Sequence, residues 1–465
     1  MVIRPSPEEL HFSQRPAVTE PIPGPRSRDL LDKQAAAEAN TVAYPLSLPI
    51  GIDSAQGATI KDVDGNIYLD FSAGIGVANV GHSNPYVVDG AKDQLDAITH
   101  TIDFPTEARL DFIDALNSTA PGALPSNSRI AFGGPTGTNA IEASIKLAKY
   151  NTGRSGIVGF DRGYHGGTMG ALSLSGWSSY KSDYTPLLPN VAHVPYPRAR
   201  DHSTPEAAME ATLDEVRSVI SGGSGEFEGP PAGIWVEPIQ GSGGVIVPPE
   251  GFLSELADIT TANDVLLIVD EIQTGMGRTG EWFASDHAGI TPDVMTVGKA
   301  VGGVGLPLSA TVYREELDTW GPSAHAGTFR GHVPAMVAGT RAIDYIDEYD
   351  LLARATEIGS YLQDRLREIQ STCPSLVDVR GRGLLIGAEF RDAEGSPLSD
   401  MVESIQTRCL RRGLVVWTAG IEGHVLRLLP PLVLTDQQAR TGMNIIQDVV
   451  ETVTQEKNTP TESAL

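Results

Sequence analysis

The residues best placed to do chemistry in this sequence are an aspartate and a lysine 29 positions apart. The apolar run Val265–Val269 ends at Asp270, and Val294–Val297 leads through Gly298 into Lys299. Parallel strands one crossover apart deliver their ends to one crevice. A lysine there must find a charge partner or lose its proton, because burial disfavours the ammonium. A neutral amine attacks carbonyls and forms Schiff bases. A nearby carboxylate can hold a protonated pyridine nitrogen, which is what makes pyridoxal phosphate an electron sink. A structural Asp–Lys ion pair accounts for the same spacing without chemistry.

A phosphate would need a nest of N–H groups. Gly133-Gly134-Pro135-Thr136-Gly137-Thr138-Asn139-Ala140 offers one, a flexible turn running into a helix N-terminus, with the Thr138 hydroxyl as a further donor. Glycine turns before helices are common and often only structural. The segment is not GxxxxGK[ST], and no GxGxxG follows a strand, which disfavours P-loop and dinucleotide readings. Tyr164-His165-Gly166-Gly167 sits on another strand-to-helix turn, where an aromatic face could cover a flat ring. A packed surface aromatic is the plainer alternative.

These turns need a scaffold. From about 105 to 310, near-continuous apolar strands alternate with helical patterns, which indicates a doubly wound, mostly parallel sheet. Ligands of such sheets collect beyond the carboxyl ends of the strands. Around it the sequence divides into a proline-rich arm (1–35), the first part of a small domain (36–75, with a hairpin at Asp64-Gly65), a large domain (76–340), an α+β small domain (341–455) opening on one helical run over 341–371, and a polar tail (456–465). The 465 residues are 40% apolar, enough for a sizeable core. The net charge of −25 repels phosphate backbones and argues against nucleic-acid binding. Eight lysines among so many carboxylates suit a high-salt cytoplasm or an ordinary acidic cytosolic protein equally. Two cysteines, Cys373 and Cys409, build neither a disulfide framework nor a Cys-rich zinc site. The absence of a signal-like start or a membrane-length apolar run leads us to expect a cytoplasmic protein, with no membrane partner and no metal.

Together the motifs resemble the class III (omega) aminotransferases, pyridoxal-phosphate enzymes of fold type I, over roughly residues 45–450. The resemblance rests on Phe71–His82, Thr136–Ala140, Tyr164-His165-Gly166, Val236-Glu237-Pro238-Ile239-Gln240-Gly241, Val269–Arg278 and Gly298-Lys299-Ala300. It implies pyridoxal 5'-phosphate as cofactor, carried by Lys299, which also moves the proton of the reaction. It implies Asp270 at the pyridine nitrogen, Gln273 at the ring hydroxyl, Tyr164 over one ring face, and Gly137 and Thr138 at the phosphate. Thr328 matches a threonine that reaches the phosphate of the neighbouring subunit, which implies a homodimer, or a tetramer built from it. Arg427 matches the arginine that clamps the α-carboxylate of glutamate or 2-oxoglutarate, and Ile75 and Ser242 are counted with it as substrate-binding.

Two positions depart from the family pattern. Ser242 stands where a glutamate usually follows Gln-Gly and masks that arginine, and His332 stands where asparagine is common. Phe132–Thr138 and Asp318–Gly331 are similar to the diaminobutyrate–2-oxoglutarate aminotransferases. This implies movement of the terminal amine of 2,4-diaminobutyrate, or of a similar omega-amino acid, to or from 2-oxoglutarate. Pro186–Val191 and the missing glutamate are similar instead to amino-acid racemases on the same scaffold. A protein that keeps the fold without chemistry is the remote alternative, against which the intact Lys299, Asp270 and Gln273 speak.

Overall fold

The inner strands of the central sequence are apolar on both faces, and the structure pairs them, with two less apolar edge strands, into one seven-stranded sheet. It is a computed structural model that describes residues 4–223 and 225–458. The strands are β4 (Ser128–Ala131), β5 (Ile157–Phe160), β6 (Val191–Val194), β7 (Gly233–Val236), β8 (Leu266–Asp270), β9 (Val294–Val297) and β10 (Ala310–Arg314). They follow β1 (Ile52–Gln56), β2 (Thr59–Asp62) and β3 (Ile67–Asp70) in the chain. The sheet order is β4-β10-β9-β8-β7-β5-β6, with β10 antiparallel to both neighbours and the other pairings parallel. Alternate residues serve two separate cores. Val158, Phe160, Ile234, Val236, Leu267 and Val269 pack on one face, while Ile157, Trp235, Leu266 and Ile268 pack on the other. That is why these strands read as continuous apolar runs rather than as alternation. The sheet belongs to a compact unit spanning Tyr86–Leu352.

The second unit is made of Met1–Pro85 and Ala353–Leu465. It holds two four-stranded sheets. One has the order β1-β2-β3-β13, the last strand being Leu414–Val415 in parallel register with β3. The other is the antiparallel set β11 (Leu376–Arg382), β12 (Leu385–Phe390), β15 (Val425–Leu428) and β14 (Trp417–Ala419). The β2–β3 hairpin turns at Asp64-Gly65, with Asp62 accepting N–H groups from Asp64 and Asn66.

Three sequence expectations differ from what is seen. The units meet at 85/86 and 352/353 rather than at 75/76 and 340/341. The arm, whose prolines and lack of periodicity over residues 1–30 read as extended, includes a helix, Pro25–Ala37. Its opening N–H groups, those of Arg26 and Ser27, are capped by the Asp64 carboxylate, far away in sequence. The expected helical run over 341–371 is two helices, Val333–Glu348 and Leu351–Thr372, broken where Asp350 takes φ 47°. The tail beyond Asn458 lies outside the described residues.

Candidate active site

Five strand ends of the Tyr86–Leu352 unit converge on one cavity of about 340 Å³. The turn after β4 brings Thr136, Gly137 and Thr138. The turn after β5 brings Tyr164, His165, Gly166 and Gly167. Glu237 and Ser242 follow β7, Asp270, Ile272, Gln273 and Thr274 close β8, and Lys299 follows β9. Of the residues expected at the cofactor and substrate, Lys299, Asp270, Gln273, Gly137, Thr138, Tyr164 and Ser242 line this cavity.

Register explains the Asp–Lys juxtaposition. Asp270 pairs with Thr296 across β8 and β9, and Lys299 lies three residues beyond Thr296. Lys299 takes φ 51°, a left-handed conformation that costs a non-glycine residue about 1–3 kcal/mol and is held only where surroundings fix it. The β4 turn touches this strand end, since a Cβ on Gly298 would stand 3.1 Å from the Gly137 Cα. The helix Gly137–Thr152 starts there, with the Thr136 N–H and hydroxyl both bonded to Asn139 Oδ1. Its N-terminus presents N–H groups suited to an anion.

Asp270 is 4% exposed and fully engaged. Oδ2 is 2.7 Å from His165 Nδ1, and Oδ1 accepts the Ile272 N–H at 3.1 Å and the Thr296 hydroxyl at 3.4 Å. Burial works against a charged His165 ring. The hydrogen bond and charge of Asp270, with the charge of Glu237, outweigh that and hold the His165 pKa above its ordinary value. Glu237 is itself buried, which pushes its pKa up to about 7; the neighbouring His165 charge opposes this and the Asp270 charge adds to it. Glu237 ties two cavity turns together, Oε1 accepting the Tyr164 N–H at 2.8 Å and Oε2 the Gly241 N–H at 3.1 Å. Glu271, next to Asp270, points the other way along the alternating strand end. It accepts the Ala284 and Ser285 N–H groups at 3.0 and 2.7 Å and has no part in the cavity.

Pyridoxal phosphate fits this set. Gln273 is 7% exposed, and its carboxamide oxygen and nitrogen are both buried without a partner, as expected of a side chain awaiting a polar ligand. Gly241 is needed beside it, because a Cβ there would overlap the Gln273 Oε1. A buffered carboxylate, an amine, a carboxamide, an aromatic and a helix N-terminus share one cavity of the right size. Tyr164 is steadied from outside: its ring meets Tyr180 edge-on at 6.1 Å, and Tyr180 stacks on Trp177 at 5.0 Å.

The remaining expected residues stand elsewhere. Thr328 is exposed in the same unit, its carbonyl 3.0 Å from His100 Nε2, and does not line the cavity of its own chain. Arg427 is 6% exposed on β15 of the second unit, opposite Gly387 and Trp417. Ile75, in that unit too, takes φ 65°, strained for a β-branched residue. The sequence reading singled out neither His165 nor Glu237 as a site residue. Both sit in quoted motifs, and their position at strand carboxyl ends was the available signal.

The chain belongs to the class-III aminotransferases, whose family description matches residues 42–450. It is a pyridoxal-phosphate-dependent enzyme of fold type I. It is 39% identical over 425 residues to the diaminobutyrate–2-oxoglutarate aminotransferase of Rhizobium meliloti, covering 88% of this chain and 89% of the relative. It is 33% identical over 456 residues to the alanine/serine racemase of Pyrococcus horikoshii, covering 95% and 94%. Among solved structures it resembles the ornithine aminotransferase of Toxoplasma gondii, seen with partial occupancy of pyridoxal phosphate at its active site. That match has a TM-score of 0.80 and 27% identity, covering 93% of this chain and 96% of the other.

Proposed function

We propose that this enzyme moves the terminal amino group of 2,4-diaminobutyrate, or of a similar omega-amino acid, to or from 2-oxoglutarate and glutamate in the cytoplasm. The observation that carries the reading is the 39% identity to a diaminobutyrate–2-oxoglutarate aminotransferase over 425 residues, with Lys299, Asp270 and Gln273 intact in one cavity. When bound, pyridoxal phosphate would supply an electrophilic carbon for the donor amine and an electron sink for the broken C–H bond. Lys299 would hold the cofactor and move the proton between the substrate carbon and the cofactor. Asp270, buttressed by His165, holds the ring nitrogen protonated. Gln273 meets the ring hydroxyl, Tyr164 covers the ring, and the first turn of the helix Gly137–Thr152 binds the phosphate. Arg427 takes the α-carboxylate of the keto acid by a bidentate pair, and Ile75 and Ser242 are the further substrate-binding residues that the family resemblance implies. The working unit is a homodimer, or a tetramer of such dimers, in which Thr328 serves the neighbouring subunit's phosphate.

A second reading, racemisation of an amino acid, is favoured by Ser242. A hydroxyl there cannot neutralise an arginine, and the racemase relative is similar over 95% of the chain. One experiment separates the two: a panel of amines with 2-oxoglutarate, beside a chiral assay of amino acids with no keto acid present. Glutamate formation from diaminobutyrate supports the proposal. Racemisation without keto acid, and no transfer from any terminal amine, would sink it.

A further inference from the structure

The proposed function puts a phosphate at the first turn of the helix Gly137–Thr152, and the role inferred for Thr168 rests on that reading. The Thr138 hydroxyl at that turn is already engaged. Its Oγ1 lies 2.7 Å from Thr168 Oγ1 and accepts the Thr168 N–H at 3.4 Å. Thr168 Oγ1 donates to Glu142 Oε1, the oxygen that also accepts the N–H groups of Gly170 at 2.9 Å and Ala171 at 3.2 Å. Two glycines permit the close approach. A Cβ on Gly166, where φ is +133°, would run into Thr138 Oγ1, and one on Gly170 would run into the Glu142 carboxylate. An ionised carboxylate only accepts. Thr168 therefore gives its proton to Glu142, and Thr138 must give its own to Thr168. A hydroxyl has one proton, so Thr138 in this arrangement has none for an anion in the cavity.

We propose that Thr168 is a two-way hydrogen-bond relay that sets how strongly Thr138 binds the phosphate. Without phosphate the chain runs Thr138 to Thr168 to Glu142. When phosphate binds, Thr168 turns its proton onto Thr138 Oγ1 and Thr138 turns its proton onto a phosphate oxygen. Glu142 is not stranded, because the Gly170 and Ala171 N–H groups stay on it. A hydroxyl that accepts a hydrogen bond donates a stronger one, so Thr168 strengthens the bond to phosphate in the second state. Glu142 competes with Thr138 Oγ1 for the Thr168 proton and so opposes the phosphate-bound arrangement. Thr168 and Glu142 are thus positioning residues, acting through Thr138.

The test uses cofactor-stripped enzyme and three probes: pyridoxal phosphate, inorganic phosphate, and pyridoxal, which lacks the phosphate. Thr168→Val should weaken the first two by roughly 5–10-fold, the scale of one hydrogen bond, and leave pyridoxal unchanged. Thr168→Ser should restore them. Glu142→Gln, whose carboxamide oxygen still meets Gly170 and Ala171 but competes less for the proton, should bind inorganic phosphate more tightly than wild type. The relay is overturned if Thr168→Val binds phosphate as wild type does, if pyridoxal falls in parallel with pyridoxal phosphate, or if Glu142→Gln gains nothing. A wild-type enzyme that bound pyridoxal and pyridoxal phosphate equally would overturn the phosphate site itself, and the relay with it.

Discussion

Glu237 is a buried acid whose pKa burial pushes up to about 7, and this has a thermodynamic consequence. Its pKa rises from 4.5 to about 7 on folding, so the folded state binds the proton more tightly than the unfolded chain does. The stability it contributes is full below 4.5 and is lost as pH rises to about 7. His165, raised above 6.5, loses its contribution in the same direction at higher pH. Glu237→Gln cannot titrate. Across that window the difference in unfolding free energy between it and the wild type should therefore change by about 3 kcal/mol, Gln becoming relatively more stable as pH rises. Urea melts of the cofactor-free proteins at the two ends of the window check this, and parallel profiles would refute it. At the substrate end, Arg427→Ala should cut kcat/KM for 2-oxoglutarate by roughly 30-fold or more, the lower end of losing one partner of a desolvated charge pair. Ser242→Glu, which places a carboxylate where the family pattern has one, should raise the use of terminal amines relative to α-amino donors. Steady-state rates on both donor classes measure it, and an unchanged ratio would mean that another residue handles the carboxylate.

At the scale of elements, the site is held by turns, and their glycines are not equivalent. Gly166 takes φ +133° and faces the Thr138 hydroxyl, while a Cβ on the adjacent Gly167 would meet nothing within 4 Å. Gly166→Ala should cost at least about 1–3 kcal/mol in urea unfolding and weaken cofactor binding; Gly167→Ala should leave the unfolding free energy unchanged. The contrast also shows what the sequence could and could not reveal. Strands β7, β8 and β9 were legible because burial on both faces writes them as unbroken apolar runs, and their carboxyl ends pointed to Asp270 and Lys299. The hairpin at Asp64-Gly65 was legible from its turn chemistry. The helix Pro25–Ala37 was not, because its cap comes from Asp64 on another element. The break at Asp350 was not, because no glycine or proline marks it. The Thr138–Thr168–Glu142 chain was invisible for a related reason: three ordinary polar residues on two elements acquire a joint role only when a turn folds onto a helix.

For the whole molecule, the proposed dimer has a surface available to it. Leu95, Ile98, Ile102, Phe104 and Leu110 are large apolar side chains left exposed on one stretch of chain, and Phe329, 68% exposed, packs edge-on against His100 within that stretch. Light scattering should give twice the chain mass or a multiple of it. Phe329→Asp, placing a charge in that patch, should shift the enzyme toward monomers and weaken its hold on the cofactor; a fully active, tightly loaded monomer would refute the shared site. The pairing of β3 with β13 bears on how the chain comes into being. Leu69 is registered with Leu414, a separation of 345 residues. At roughly 5–20 residues per second, a ribosome needs about 20–70 s to deliver the second strand after the first. The Tyr86–Leu352 unit is complete well before then, but the β1–β3 sheet spends that interval with an open edge. During synthesis the nascent amino-terminal strands, rather than the cofactor-binding sheet, are the part of this enzyme most in need of a chaperone.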